Sequence, residues 1–299
     1  MSGFFFIGAY MLNGNLKLAV QKKGRLTEKT MQLLKTCGIE IENYSEKLLV
    51  TAKNYPLDLL FLRDDDIPEY VQDGVADIGI VGQNVVTEKG AEVEVIKPLG
   101  FGRCQLMIAI PERDELNDLN GLNGKRIASS YPRLLGEYLE ANNINAKIIQ
   151  ISGSVEIAPS LGIADYICDI VSTGNTLKMN KLKKSFKVFD SEAVMITSKN
   201  NKLDKSKKET LNNFLLRIES ALTAKNSKYI MMNIPKSSLE TIENIIPSLK
   251  SPTVVHLADE NMLAVHAVIP SDKFWHIIDD LKGAGASGIL LLPIENMIL

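Results

Sequence analysis

A chain of 299 residues, 45% of them hydrophobic, has material for two or three buried cores rather than one. Its 34 basic and 36 acidic residues are interspersed and leave a formal charge of −2, which argues against a nucleic-acid binder; a polyanionic ligand must then meet a local cluster of positive groups. Cys37, Cys104 and Cys168 are widely spaced with no CxxC pair, which argues against a disulfide framework or a thiolate zinc site and fits a reducing cytoplasm. The apolar run over residues 4–12 lacks a basic leader and is too short to span a bilayer, so it reads as an extension ahead of a second start at Met11; no other stretch approaches transmembrane length.

From Leu16, LKLAV predicts a strand, residues 27–37 a helix, LDLLFLR a strand and IPEYVQDG a helix ending at Gly74. DIGIV follows as a buried strand and residues 82–88 as a helix. The alternation repeats through RCQLMIAI, KRIASS, a helix over 132–141, AKIIQI, a short helix over 155–161, YICDIV, a helix over 177–182 and a strand around 188–196. Strand and helix in turn imply α/β layers. An internal echo organises them: GVAD at 74–77 precedes IGIVG, and GIAD at 162–165 precedes YICDIVSTG. Each time a helix ends at glycine, a tight turn carries Ala-Asp, and an apolar strand runs into a glycine where a ligand can approach the backbone, which implies two similar lobes around a cleft.

The charge-rich stretch SKNNKLDKSKKE reads as a linker into an exposed helix over 206–223. Beyond it the pattern is strand 229–234, helix 237–246, strands 253–257 and 262–269, helix 272–283 and strand 288–292, the βαββαβ order of a ferredoxin-like module. The expected domains are lobe I over 1–106 with a return segment 187–200, lobe II over 107–186, a linker helix over 201–224 and a third domain over 225–299.

Chemistry concentrates in DIVSTGNTLK. After Asp169-Ile-Val come Ser172, Thr173, Gly174, Asn175 and Thr176, where backbone N–H groups at a helix start, hydroxyl donors and a permissive glycine suit a phosphate. Asp169, near the strand end, is placed to accept hydrogen bonds from the hydroxyls of an attached ribose. The bland alternative is a helix cap beside a surface charge. Glu156, at the start of the short helix before Asp165, is either a dipole-stabilising acid or a second ribose carboxylate. QKKGRL, with Lys22, Lys23 and Arg25, stands at the C-terminal end of the first strand, where open α/β sheets face their ligands. Arg63, Arg103, Lys125, Arg126 and Arg133 are the other basic candidates, with solvated surface charge as the alternative for Lys125 and Arg126. Asp66 reads as the cap of the helix from Ile67, and the three consecutive aspartates do not converge on a cation. His256, His266 and His276 match no zinc spacing. Cys168 should face away from Asp169 as a small buried group, and Phe274, Trp275 and Ile278 read as core of the last helix.

Five segments, KLAVQKKGRL, FLRDDDIPEYVQDGVADIGIVGQNV, NGKRIASSYPRLL, SGSVEIAPSLGIADYICDIVSTGNTL and SKYIMMN, closely resemble the ATP phosphoribosyltransferase family, in family order from about Leu16 onward. The resemblance implies an α/β fold, a two-lobed periplasmic-binding-protein-like catalytic core followed by a ferredoxin-like regulatory domain. It implies that ATP and 5-phosphoribosyl 1-pyrophosphate give N1-(5-phosphoribosyl)-ATP and pyrophosphate with Mg²⁺ required, the first step of histidine biosynthesis. It implies that the donor lies on Asp169 to Thr176, with Glu156 and Asp169 near the ribose hydroxyls and Arg25 and Lys22 toward nucleotide and pyrophosphate. Arg63, Asp77 and Tyr131 join the substrate-binding set, and no metal ligand is assigned to the protein. The C-terminal module resembles that of the long form, which histidine inhibits, which needs no separate regulatory subunit, and whose homodimers close into homohexamers in the cytoplasm. The competing readings are a two-lobed binding protein without catalysis, a phosphoribosyltransferase for another base, and an inactive regulatory paralogue.

Overall fold

The computed structural model describes residues 14–44, 46–172, 174–200, 203–246 and 251–299, so the N-terminal extension and Thr173 lie outside the described residues. The chain divides into two compact units, Met1–Gln32 with Glu40–Lys208, and Leu33–Ile39 with Glu209–Leu299.

The first unit opens with β1 (Leu16–Gln21), α1 (Thr27–Thr36), β2 (Leu49–Thr51), β3 (Leu57–Leu62), α2 (Ile67–Gln72), β4 (Ile78–Gly82), α3 (Gln83–Lys89) and β5 (Val93–Pro98). It continues with β6 (Cys104–Pro111), β7 (Arg126–Ser129), α4 (Pro132–Ala141), β8 (Lys147–Gln150), β9 (Tyr166–Val171), α5 (Asn175–Met179), β10 (Leu182–Ser191) and β11 (Ala193–Ser198). One sheet has the order β2-β3-β1-β4-β11-β5 and the other β10-β6-β9-β7-β8. In the first, β1 lies parallel to β3 and β4, while β11 is antiparallel to β4 and β5. In the second, β7 lies parallel to β8 and β9, while β6 is antiparallel to β9 and β10. Reading β8-β7-β9-β6-β10 against β3-β1-β4-β11-β5 superposes order and direction, so two lobes repeat one plan. Leu16, Leu18, Ala19, Ile78, Ile80 and Val81 are fully buried, as central parallel strands covered on both faces require.

The echoed aspartates do the same work in each lobe. Asp77 accepts the backbone N–H of Lys17 at 2.8 Å and returns its own N–H to the Lys17 carbonyl at 3.0 Å. Asp165 exchanges the same pair of bonds with Arg126, both at 2.8 Å. Each carboxylate thus clasps the start of its strand to the neighbouring parallel strand, at the end opposite the ligand mouth.

The chain leaves the first sheet after β5 and returns to it at β11, so sheet membership changes over 99–103 and again at Glu192. The single strand expected around 188–196 is therefore two strands in two sheets; irregularities in the β10–β6 register at Lys187 blur the alternation that would have separated them. These two crossings are bonded to each other, Leu99 N–H to the Ala193 carbonyl and Ala193 N–H to the Phe101 carbonyl, each 2.9 Å.

Other differences have local causes. The helix expected over 155–161 is a 3-10 turn at Val155–Ile157, because Pro159 has no N–H to give the Val155 carbonyl. The helix expected over 177–182 is α5, earlier by two residues; it starts from Gly174 at φ 84° and is ended by Lys181 at φ 55°. Asp66 precedes α2 but its side chain makes no capping bond, since Asp64–Asp66 already forms a 3-10 turn leading into the helix.

Beyond β11, α6 (Lys205–Lys225) is followed by β12 (Ser227–Pro235), α7 (Leu239–Ile245), β13 (Thr253–His256), β14 (Met262–Pro270), α8 (Phe274–Gly283) and β15 (Ser287–Pro293). The sheet order β13-β14-β12-β15, antiparallel throughout, is the ferredoxin-like one. Ile230, Met232 and Ile234 alternate into its core against Ile242 and Leu281 of the helices. Trp275, expected in that core, is 77% exposed: the buried face of α8 carries Phe274, Ile278 and Leu281, and position 275 falls off it. Among the described residues no helix is long and apolar enough to cross a membrane.

Candidate functional site

The parallel strands β1, β4 and β9 end at one crevice, where two cavities share Arg25, Asp169 and Ile170. The larger, about 370 Å³, is lined by Gln21, Gly24, Arg25, Asp64, Gly82, Asn84, Cys104, Tyr131 and Asp169, and so draws on both lobes. The smaller, about 210 Å³, is lined by Arg25, Glu156, Asp169, Val171, Ser172, Gly174 and Thr176. A third, about 470 Å³, lies at the chain crossings between Gln83, Arg103, Gln105, Ser191 and Glu192, touching the first at Cys104 and the second at Ser172.

Strand alternation aims Asp169 into this crevice. Ile167 and Val171 belong to one buried cluster and Cys168, fully buried, to another, so Asp169 stands on the face of Ile167 and Val171. Burial raises the Asp169 pKa; the Ile170 N–H, 2.7 Å from Oδ1, opposes this, the charge of Glu156 adds to it and Arg25 lowers it. Glu156, Asp169 and Arg25, a carboxylate pair and one guanidinium, line the smaller cavity together.

Arg25 is presented by a built turn. Gly24 has φ 149°, and a Cβ there would collide with the Gln21 side chain, whose Oε1 accepts the Leu26 N–H at 3.2 Å. Thr27 closes the turn by donating its hydroxyl to the Gln21 carbonyl at 3.0 Å. Opposite, Tyr131 precedes α4, its N–H bonded to Ser129 Oγ at 3.0 Å, while that hydroxyl donates to the Cys168 carbonyl at 2.7 Å. Burial pushes the Tyr131 phenol well up, and Asp169, Asp64, Asp65 and Cys104 push it further, so it stays a neutral hydrogen-bond donor. Burial and Asp65 raise the Asp64 pKa also, against hydrogen bonds from the backbone and Gln21. The Cys104 thiol is raised by burial against Ser191 and Arg25, so it is no ready nucleophile.

The lobes meet beside the crevice. Glu88, in the last turn of α3, accepts the N–H groups of Arg133 and Leu134 at 3.0 Å each, capping α4 from the opposite lobe. Ser191 accepts the Asn84 N–H at 3.1 Å and donates to Asn84 Oδ1 at 2.8 Å.

Of the residues expected at the site, Arg25, Tyr131, Glu156, Asp169, Ser172, Gly174 and Thr176 line the two adjoining cavities. Lys22 is half-buried at the end of β1 and Asn175 is exposed at the start of α5; neither lines the cavities described. Arg63 is exposed and does not line the cavities described, whereas its neighbour Asp64, for which no site role was expected, lines the larger one. Asp77 is a correction: it is 3% exposed at the base of β4, and both its oxygens bind Lys207 Nζ, at 3.0 and 2.8 Å. Arg126 pairs with Asp165 and Arg133 with Glu137, and neither lines the cavities described. Sequence reasoning missed Gln21, Asn84 and Cys104, which only the meeting of the lobes brings together. It also missed Lys184 of β10: the position a Cβ would take on Gly174 lies 3.1 Å from Lys184 Cε. Counting by twos along β10 from the buried Leu182 was the signal available.

The family model described as ATP phosphoribosyltransferase matches residues 63–220, and the one described as HisG, C-terminal domain, matches 224–296. The ATP phosphoribosyltransferase of Cytophaga hutchinsonii is 48% identical over 283 residues, 95% of this chain and 98% of that protein. That of Bacteroides thetaiotaomicron is 49% identical over 284 residues, 95% of this chain and 100% of its own length. Among solved structures, a chain of the ATP phosphoribosyl transferase (HisG:HisZ) complex from Thermotoga maritima is 32% identical with a TM-score of 0.57, covering 68% of this chain and 98% of that one. With near half identity along almost the whole length of such relatives, and both parts matched in order, this chain belongs to the ATP phosphoribosyltransferase family, which catalyses the first step of histidine biosynthesis.

Proposed function

We propose that the smaller cavity holds the ribose and phosphate monoester of 5-phosphoribosyl 1-pyrophosphate, and that the larger one brings the adenine of ATP to the anomeric carbon. The observation that carries this is Asp169, shared by both cavities, with Glu156 beside it and Arg25 reaching both. Asp169 and Glu156 accept the ribose hydroxyls, and their charge stabilises the oxocarbenium-like ring as the bond to pyrophosphate breaks. Adenine N1 supplies the electron pair for the new bond from the opposite face, and configuration inverts. Arg25 meets the charge that develops on the departing pyrophosphate. No covalent nucleophile takes part.

Mg²⁺ belongs to this reading as a companion of the donor. Among the described residues no group of three or more His, Cys, Asp or Glu forms a metal cage; Asp169 and Glu156 suit an ion that takes one or two carboxylates beside substrate phosphates. When bound, it would withdraw charge from the pyrophosphate. The C-terminal ferredoxin-like domain is the seat of feedback inhibition by histidine, an inference supported by its family match and by the use of such modules for small regulators. With that domain in the same chain, the enzyme works as a homo-oligomer, dimers closing into hexamers, without a separate regulatory subunit. Three free cysteines, two of them buried, fit a cytoplasmic setting.

The test is incubation of the full chain with ATP, donor and Mg²⁺, followed by absorbance of the N1-substituted adenine. Product that disappears with a chelator and falls with added histidine supports each part of the reading. Turnover insensitive to the chelator removes the metal, and turnover insensitive to histidine removes the regulator. No product at all would favour an inactive paralogue.

A further inference from the structure

The smaller cavity is short of positive charge for the ligand proposed there. Two carboxylates, Glu156 and Asp169, and one cation, Arg25, line it; Arg25 is shared with the larger cavity, and the Mg²⁺ proposed above is taken up by those carboxylates and the pyrophosphate. A phosphate monoester adds roughly two negative charges at neutral pH. Side-chain hydroxyls of Ser172 and Thr176 donate hydrogen bonds but offset no net charge.

A second cation stands at the rim. Leu182 of β10 is buried in the cluster that also holds Val171 and Leu177, and Lys184, two residues on, leaves the strand on the same face. The position a Cβ would take on Gly174 lies 3.6 Å from Lys184 Nζ, so the ammonium stands against the one loop residue that has no side chain to keep it away. Gly174 is held at φ 84°, a conformation that favours glycine, which preserves the opening. We propose that Lys184 is a donor-binding residue whose ammonium pairs with the phosphate monoester bound beside Gly174. The proposal rests on the donor placement argued above and adds a residue from outside the DIVSTG segment.

The experiment compares ribose 5-phosphate, which carries the monoester alone, with inorganic pyrophosphate as inhibitors of the full-length enzyme, in wild type, Lys184→Gln, Lys184→Arg and Gly174→Val. Loss of a charge-assisted contact predicts about a ten-fold rise in Ki for ribose 5-phosphate and in KM for the donor in Lys184→Gln. Lys184→Arg should recover most of both, and Ki for pyrophosphate should stay near wild type. If Gly174→Val weakens ribose 5-phosphate while Lys184→Gln does not, the loop holds the monoester and the role of Lys184 is overturned. If Lys184→Gln weakens pyrophosphate instead, the assignment to the monoester is overturned. If neither variant changes inhibition by ribose 5-phosphate, the donor placement itself fails, and the inference with it.

Discussion

Replacing Asp77 by alanine removes an anchor at the base of the first lobe, and the size of the effect distinguishes a structural role from a substrate-binding one. Its carboxylate holds Lys207 Nζ through both oxygens and accepts the Lys17 N–H at 2.8 Å, with side-chain exposures of only 4% for Asp77 and 19% for Lys207. Leaving a buried ammonium without its partner costs about 3 kcal/mol, at the low end of the usual range because Lys207 keeps some contact with water. At about 2–4 °C per kcal/mol for a unit of this size, thermal unfolding should fall by roughly 6–12 °C. Differential scanning calorimetry measures this alongside KM for both substrates, and Asp77→Ala combined with Lys207→Met should restore part of the loss. The echoed aspartate of the second lobe, Asp165, pairs instead with Arg126 at exposures of 35% and 42%, so breaking that pair should lower thermal unfolding far less. Unchanged unfolding of Asp77→Ala together with a ten-fold or greater rise in KM would refute the structural role.

On the proposed reading, Asp169 trades stability for chemistry. Its folded-state pKa is raised, chiefly by burial, so the folded protein holds this proton more tightly than the unfolded one; stability falls as pH rises from the ordinary carboxylate value through the raised one, and the cost stays constant above. Asp169→Asn should therefore unfold at higher temperature than wild type at pH 7, show a flatter stability profile across that acid window, and lose roughly 10²-fold in turnover; lower stability at pH 7 would contradict the cause assigned to the shift. Glu88→Ala should cost about 1–2 kcal/mol by uncapping α4, measured by chemical denaturation, whereas Glu88→Gln, which keeps an acceptor, should cost less. Equal losses in the two variants would show that the capping bonds are not what Glu88 contributes.

Much of the fold is legible before any coordinates, because its devices are local. GVAD and GIAD announce two equivalent strand entries, and the βαββαβ order emerges from apolar spacing alone. The errors are also local in origin. Asp77 stands ahead of its strand, and the rule that put QKKGRL at the mouth, ligands at the carboxyl ends of parallel strands, puts Asp77 at the base; family likeness without that geometry misplaced it. Pro159 ended a helix that composition favoured. Cys104, Asn84 and Gln21 carry no pattern of their own, since each becomes part of the site only when the two lobes meet.

The paired crossings of the core have a consequence for motion. One connection is a single residue, Glu192, and the other spans 99–103, and the two are bonded to each other through Leu99, Phe101 and Ala193. Two short segments stitched side by side would leave swing about their common line as the easiest movement, with twist and slide opposed by the bonds between them. Glu192 and Arg103 also form part of the 470 Å³ cavity wall, so any such swing would change the volume of that chamber. On the proposed placement of the substrates, such a restriction would bring nucleophile and carbon together along a single arc.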